Sequence, residues 1–126
     1  MTNGTGAVER KRVNDAQGLL VEEADYVGGV LHGKRLLWSP VGVKIGEASY
    51  ENGRLHGRSL LWNEAGRLIV DAHYAEGELH GPYVSWWDDG SVKEQGQFKR
   101  GSRVGTYRWF LQGGLLQSEH TYPDVG

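Results

Sequence analysis

The sequence predicts an all-β fold: a single-layer, elongated antiparallel β-meander built from 24-residue β-hairpin repeats. Three observations predict it. Tyr26, Tyr50, Tyr74, Phe98 and Tyr122 fall 24 residues apart. Gly18, Gly42, Gly66, Gly90 and Gly114 keep the same step, as do Gly29, Gly53, Gly77 and Gly101, and again Gly33, Gly57, Gly81 and Gly105. Self-similarity at a fixed period marks a stacked array. The chain also has 20 glycines, about twice the usual share of roughly 7%. A glycine every few residues argues against helix, where each costs about 1 kcal/mol.

The elements follow in order. Residues 1–9 are expected to form a disordered N-terminal tail and 10–126 the repeat domain. The domain divides into a partial cap (10–25), units 26–49, 50–73, 74–97 and 98–121, and a stub at 122–126. Each unit holds two short runs, such as 58–63 and 67–74, that suit a hairpin. The loops between them read Pro40-Val41-Gly42, Glu64-Ala65-Gly66, Asp88-Asp89-Gly90 and Gln112-Gly113-Gly114. A type I turn closed by a left-handed residue wants glycine in that third place, and the fixed φ of Pro40 suits the start of such a turn.

That loop sets a register. Trp38 is placed opposite Lys44, Trp62 opposite Leu68, Trp86 opposite Val92 and Phe110 opposite Leu116. With alternating side chains, one face is expected to carry Leu36, Trp38, Ala48, Tyr50 and their repeats as an aromatic core. The other face is expected to pair Val13 with Val21, Leu37 with Ile45, Leu61 with Ile69, Ser85 with Lys93 and Trp109 with Gln117. One step further, Lys11 faces Glu23, Arg35 faces Glu47, Ser59 faces Asp71, Tyr83 faces Gln95 and Tyr107 faces Glu119. About ten strands at about 4.8 Å each would extend ~45 Å.

Composition narrows the function. Fourteen basic residues against 16 acidic ones give a net charge of −2, so no global field favours nucleic acid or an anionic bilayer. Only Arg10, Lys11 and Arg12 form a cationic run, too short for stable lipid or DNA binding. No cysteine is present, which removes disulfides and thiolate metal sites. The first six residues lack the basic region and apolar core of a secretion signal. A cytoplasmic location is expected, without nucleic acid or membrane partners.

Catalytic constellations are missing. Equivalent positions in successive units lie two strands apart, or ~9.6 Å. His32, His56 and His80 therefore cannot share a metal whose nitrogen ligands sit about 2 Å away; each is expected to cap turn carbonyls beside its glycine. Ser118, Glu119 and His120 are consecutive on a strand, so adjacent members point to opposite faces. Asp88-Asp89-Gly90 lacks the further ligands of a calcium loop, and no phosphate loop, nucleophile elbow or zinc-helix motif appears. Neither an enzyme nor a cofactor is expected.

A protein partner is expected instead. The apolar row containing Leu37, Leu61 and Ile69 exceeds what a one-layer sheet needs for its core, and exposed contiguous apolar area marks interfaces; a homodimer is the alternative use. Tyr83, Tyr107 and Trp109, with Trp87 at a hairpin end, do not recur in every unit and belong to the types enriched in binding hot spots. Asp71 and Glu119 lack the basic residue that Lys11 and Arg35 place opposite Glu23 and Glu47, and are expected to meet a basic partner.

The unit Tyr-x-x-Gly-x-Leu-His-Gly-x-x-x-x-Trp-x-x-x-Gly, seen at 50–66 and 74–90, resembles the bacterial variant of the MORN repeat. The run Gly77-Glu78-Leu79-His80-Gly81-Pro82-Tyr83, followed by Trp86-Trp87-Asp88-Asp89-Gly90, is especially similar. The likeness spans about residues 10–126. The fourth unit departs from it, with Arg103-Val104-Gly105 for Leu-His-Gly and Phe110 for Trp. The resemblance implies a stack of β-hairpins without a catalytic centre. Short bacterial members are often antitoxin or immunity proteins encoded beside their toxin, whereas eukaryotic members act as scaffolds and are proposed to bind membrane lipids. The expected role is therefore a non-enzymatic immunity protein that occludes a cognate toxin acting in the cytoplasm (a nuclease, deaminase or nucleotide-modifying transferase). A scaffold or adaptor for proteins or a membrane surface is the alternative.

Overall fold

The computed structural model describes residues 6–124. It has no helix. Its strands are β1 (Glu9–Asn14), β2 (Leu20–Val27), β3 (Val30–Trp38), β4 (Lys44–Glu51), β5 (Arg54–Trp62), β6 (Leu68–Ala75), β7 (Glu78–Leu79), β8 (Gly81–Trp86), β9 (Val92–Lys99), β10 (Ser102–Phe110) and β11 (Leu116–Tyr122). All pair antiparallel with their sequence neighbours in one 11-stranded sheet, β7 and β8 both lying beside β6. The single-layer meander is as the repeat predicts. The expected tail lies mostly outside the described residues, and Glu9 already opens β1. Pro82 stands where other units carry Lys34, Arg58 and Thr106. Having no N–H for the ladder, it accompanies the split between β7 and β8.

Two turn types alternate. The first closes each long hairpin: Ser39 N donates to Val43 O at 2.8 Å and Gly42 N to Ser39 O at 2.9 Å. The same pair of bonds recurs at Asp15, Asn63, Trp87 and Leu111. Gly42 has φ 88°, with Gly18, Gly66, Gly90 and Gly114 alike, so the expected left-handed glycine is present. The second type has two central residues with positive φ, as at Asn52 (52°) and Gly53 (84°), Glu76 and Gly77, and Arg100 and Gly101. This is the primed geometry whose twist matches that of the strands.

The register departs from expectation one residue past the first turn. Trp38 faces Lys44, Trp62 faces Leu68, Trp86 faces Val92 and Phe110 faces Leu116 as expected. The next pairs are Leu37↔Gly46, Leu61↔Val70, Ser85↔Glu94 and Trp109↔Ser118. Val21, Ile45, Ile69, Lys93 and Gln117 are each the extra residue of a β-bulge, which puts two residues opposite one. Everything beyond the bulge changes face. Arg35 thus faces Ala48, Ser59 faces Ala72, Tyr83 faces Gly96 and Tyr107 faces His120.

The expected aromatic core splits in two. Tyr50 shares a face with Gly33, Arg35, Leu37 and Ala48. The opposite face carries Trp38, Leu36 and Glu47 with their repeats. Each side of the sheet thus has an aromatic rail, and neither is a closed core. Only Ala24, Ala72 and Tyr107 are fully buried apolar side chains among the described residues.

Candidate protein-binding site

The tyrosine face is built on a column of small residues. Ala24, Ala48, Ala72 and Gly96 stand one per unit, opposite Arg35, Ser59 and Tyr83 on the adjacent strands. In the fourth unit the ring of Tyr107 covers Gly96, with none of its surface exposed. A Cβ on Gly96 would come within 2.2 Å of the Tyr107 ring, so the missing side chain is what lets the ring lie flat on β9. Phe98 packs edge-on to Tyr107 (ring centroids 5.7 Å), Trp109 lies tilted against it (4.9 Å), and Tyr83 meets Phe98 edge-on (5.6 Å). The Arg103 guanidinium covers three of these rings, 4.6 Å from the Tyr107 centroid. Such stacking adds about 0.5–1 kcal/mol at exposed sites.

The Tyr107 hydroxyl donates to Glu94 Oε1 at 2.9 Å. Burial, reinforced by that carboxylate, raises the Tyr107 phenol far above its ordinary range, with Arg103 opposing. Burial also raises Tyr83, again with help from Glu94. Tyr107 is therefore a core residue of the last full unit and offers no surface to a partner. Tyr83 and Trp109 remain half-buried at the margin of the cluster.

The other predicted residues separate. Leu37 and Leu61 share the tyrosine face with Tyr83 and Trp109; Leu61 is 41% exposed and Val13, in the same repeat position, 49%. Ile69 occupies a bulge. Trp87 lies in the row of long-hairpin turns, its indole N–H donating to Phe110 O at 3.2 Å and Lys93 stacked on its ring at 4.8 Å.

Asp71 and Glu119 lie on the tryptophan face, and both have the basic partner that the expected register denied them. Arg58 grips Asp71 in a fork at 2.7 and 3.0 Å, and Arg108 donates to Glu119 at 2.9 Å. The Arg58 hydrogen bond holds the Asp71 carboxyl below its usual range, against partial burial. The same face pairs Arg12 with Glu23, Arg10 with Asp25, and both Lys34 and Lys44 with Glu47. Arg35 pairs with Glu22 on the tyrosine face rather than with Glu47.

His32, His56 and His80 bond to turn N–H groups where carbonyls were expected. His32 Nδ1 accepts the N–H of Asn52 at 3.1 Å, His56 that of Glu76 at 3.2 Å and His80 that of Arg100 at 3.2 Å. Each bond reaches 20 residues forward into the next two-residue turn. The following glycine N–H completes the tie: Gly53 donates to Leu31 O, Gly77 to Leu55 O and Gly101 to Leu79 O. No group of three or more metal-ligating side chains occurs among the described residues.

One apolar feature escaped the sequence reading. A hollow of about 490 Å³ opens between Leu19, Leu20, Trp38, Pro40 and Val41, with Val41 75% and Leu19 50% exposed. The available signal was Pro40-Val41 in the turn row where later units carry Glu64-Ala65 and Asp88-Asp89.

A family model described as the MORN repeat variant matches residues 79–100. That stretch runs from the second residue of β7 to just past β9 and holds Tyr83, Trp86, Gly96 and Phe98. The match supports a MORN-repeat family for this β-hairpin array. No curated protein matches the chain.

Proposed function

We propose that this chain is a non-enzymatic protein-binding module, and that its role is immunity: occluding a toxin that acts in the cytoplasm. The MORN repeat match suggests a protein-binding or scaffold role. The observation that carries the binding reading is the tyrosine face. It has no second layer, yet it presents Leu61 and Val13 nearly half exposed in one repeat position, with half-buried Leu37 between them. Along this row Glu22 stands between Val13 and Leu37, and Gly46 between Leu37 and Leu61, so exposed apolar side chains are grouped beside charged ones, as at protein interfaces. The half-buried Tyr83 and Trp109 extend it towards the last unit. The immunity role is favoured by the resemblance to short bacterial members of the family. Against a lipid-binding scaffold, Arg10 and Arg12 are engaged by Asp25 and Glu23, and Lys11 stacks on Tyr26, so the cationic run is already occupied within the sheet.

The test is capture of partners from native lysate by tagged wild-type chain and by Leu61→Arg and Val13→Arg. One stoichiometric protein lost by both variants is expected. Expressed alone it should arrest growth, and co-expression of the wild-type chain should relieve the arrest. A captured protein that is harmless on its own defeats the immunity reading and leaves the binding role. Absence of any protein partner, with the chain following the membrane pellet, defeats both.

A further inference from the structure

We infer that the sheet continues from one molecule to the next: β11 of one copy docks on β1 of a second copy in the register of the internal junctions. This goes beyond partner binding on the tyrosine face and uses the two edges, not a face.

The inference starts from repeat phase. At four successive unit junctions the residue pairs Glu23↔Leu36, Glu47↔Leu60, Asp71↔Val84 and Gln95↔Arg108 occupy one position. The strand before each junction is of the β11 type, 24 residues or a multiple away, and the strand after it is of the β1 type. A fifth junction made from two copies therefore sets Glu119 opposite Arg12, and Ser118 opposite Val13. Main-chain groups on the outer sides of β1 and β11 find no strand among the described residues, and such edges template pairing.

Charge chooses between the possible pairings. Pairing β1 with another β1 would bring together two copies of Arg10-Lys11-Arg12, whereas β11 against β1 joins two existing ion pairs, Arg108 with Glu119 and Arg12 with Glu23, into one row of alternating sign. Like charges directly opposite are destabilising and opposite charges favourable.

The turn row supplies a second, independent argument. Neighbouring turns of this row touch inside the molecule: Asn63 Nδ2 donates to Asp88 Oδ1 at 3.3 Å, and Gly113 N to Ser91 Oγ at 3.0 Å. The last turn exposes Leu115 (69%) and Leu116 (46%), and the first exposes Leu19 (50%). By the phase that aligns Glu119 with Arg12, Leu115 and Leu116 stand where Leu19 and Leu20 stand, and would lie against Asn14, Ala16 and Gln17 of the next copy as Leu19 and Leu20 lie against Trp38, Pro40 and Val41 within the chain. The contact joins two different surfaces, so it does not close by two-fold symmetry and propagates in a line. One strand edge is at the small end of specific interfaces, so association is weak.

Sedimentation velocity of the wild-type chain, from low micromolar to near-millimolar concentration, tests it. The weight-average coefficient is expected to rise past that of a dimer. Arg12→Glu and Glu119→Arg should each weaken association at least ten-fold. An equimolar mixture of the two, and the Arg12→Glu/Glu119→Arg double variant, should restore it, because both recreate an opposite-charge junction. A wild-type chain that stays monomeric overturns the inference. So does undiminished association of Arg12→Glu, which would indicate β11 pairing with itself, or failure of the folded variants to restore one another. A readout on wild type alone covers the case of misfolded variants: amide exchange in β1 and β11 should slow together as concentration rises. Slowing in one edge only, or in neither, overturns the inference.

Discussion

A single missing methyl group decides where the largest buried side chain goes. Gly96 has ordinary negative φ, so its role is not conformational; it is the space that Tyr107 fills. Gly96→Ala is expected to cost about 1–3 kcal/mol, the usual price of overpacking, read as a lowered denaturation midpoint. Gly46→Ala is a fair comparison: there the added atom lies 3.3 Å from the tip of the half-buried Leu37, so the loss should be smaller. Equal losses at both sites would contradict the account of Tyr107. The ring's environment has its own signature. Because burial and Glu94 raise the Tyr107 phenol, its contribution to stability is complete below the ordinary value of 10.0 and is lost as pH rises through the raised one. Alkaline absorbance titration should show two phenols ionising above the ordinary range, of which Tyr107→Phe removes the one raised further. At this scale the sequence told half the story. Tyr83, Tyr107 and Trp109 stand out as departures from the repeat, but aromatic departures suit a local core as well as an interface. The deciding signal was the small column of Ala24, Ala48, Ala72 and Gly96, which marks a position covered by its neighbours.

At the scale of the hairpin, the two turn types divide the labour. The glycine-closed turn and its first pair were legible, because few residues tolerate the left-handed region at Gly42 or Gly66. The bulge beyond it was not. No residue type is required at Ile45, Ile69 or Lys93, and one uncounted residue exchanges the faces of everything that follows. That slip is why Asp71 and Glu119 seemed unpaired and why tyrosine and tryptophan seemed to share a core. The two-residue turns carry a removable cost. Glu76 and Arg100 hold φ near 51°, where a non-glycine side chain is penalised and asparagine is better tolerated. Glu76→Asn, which copies Asn52, is expected to gain about 0.5–1 kcal/mol; an unchanged or lower midpoint in denaturant would argue against turn strain. His56→Ala in the same tie removes the acceptor for Glu76 N and is expected to cost about 1 kcal/mol.

Over the whole molecule, stability is shared between neighbours and nowhere concentrated. Each strand touches only those beside it, as in other repeat arrays. Amide exchange should therefore be slowest near β5 and β6 and fastest towards β1 and β11 in dilute solution; uniform protection would imply cooperativity that this topology does not supply. The ion pairs along the tryptophan face set the acid limit. Arg58 lowers Asp71, Arg10 lowers Asp25 and Lys44 lowers Glu47. Their contribution is complete above the ordinary carboxylate values and disappears as pH falls through the lowered ones. The thermal midpoint should drop on acidification below about pH 4, and Arg58→Gln should flatten that drop.

The forward-reaching histidines also give the array a direction in time. When the turn at Asn52 and Gly53 leaves the ribosome, its acceptors, His32 Nδ1 and Leu31 O, have been synthesised about twenty residues earlier. Each new hairpin finds its docking site already made, and no pairing waits for a distant part of the chain. Contacts this local in sequence make for fast folding. Growth from the N-terminus, one unit at a time, is then the natural order of assembly, each finished hairpin serving as the template for the next.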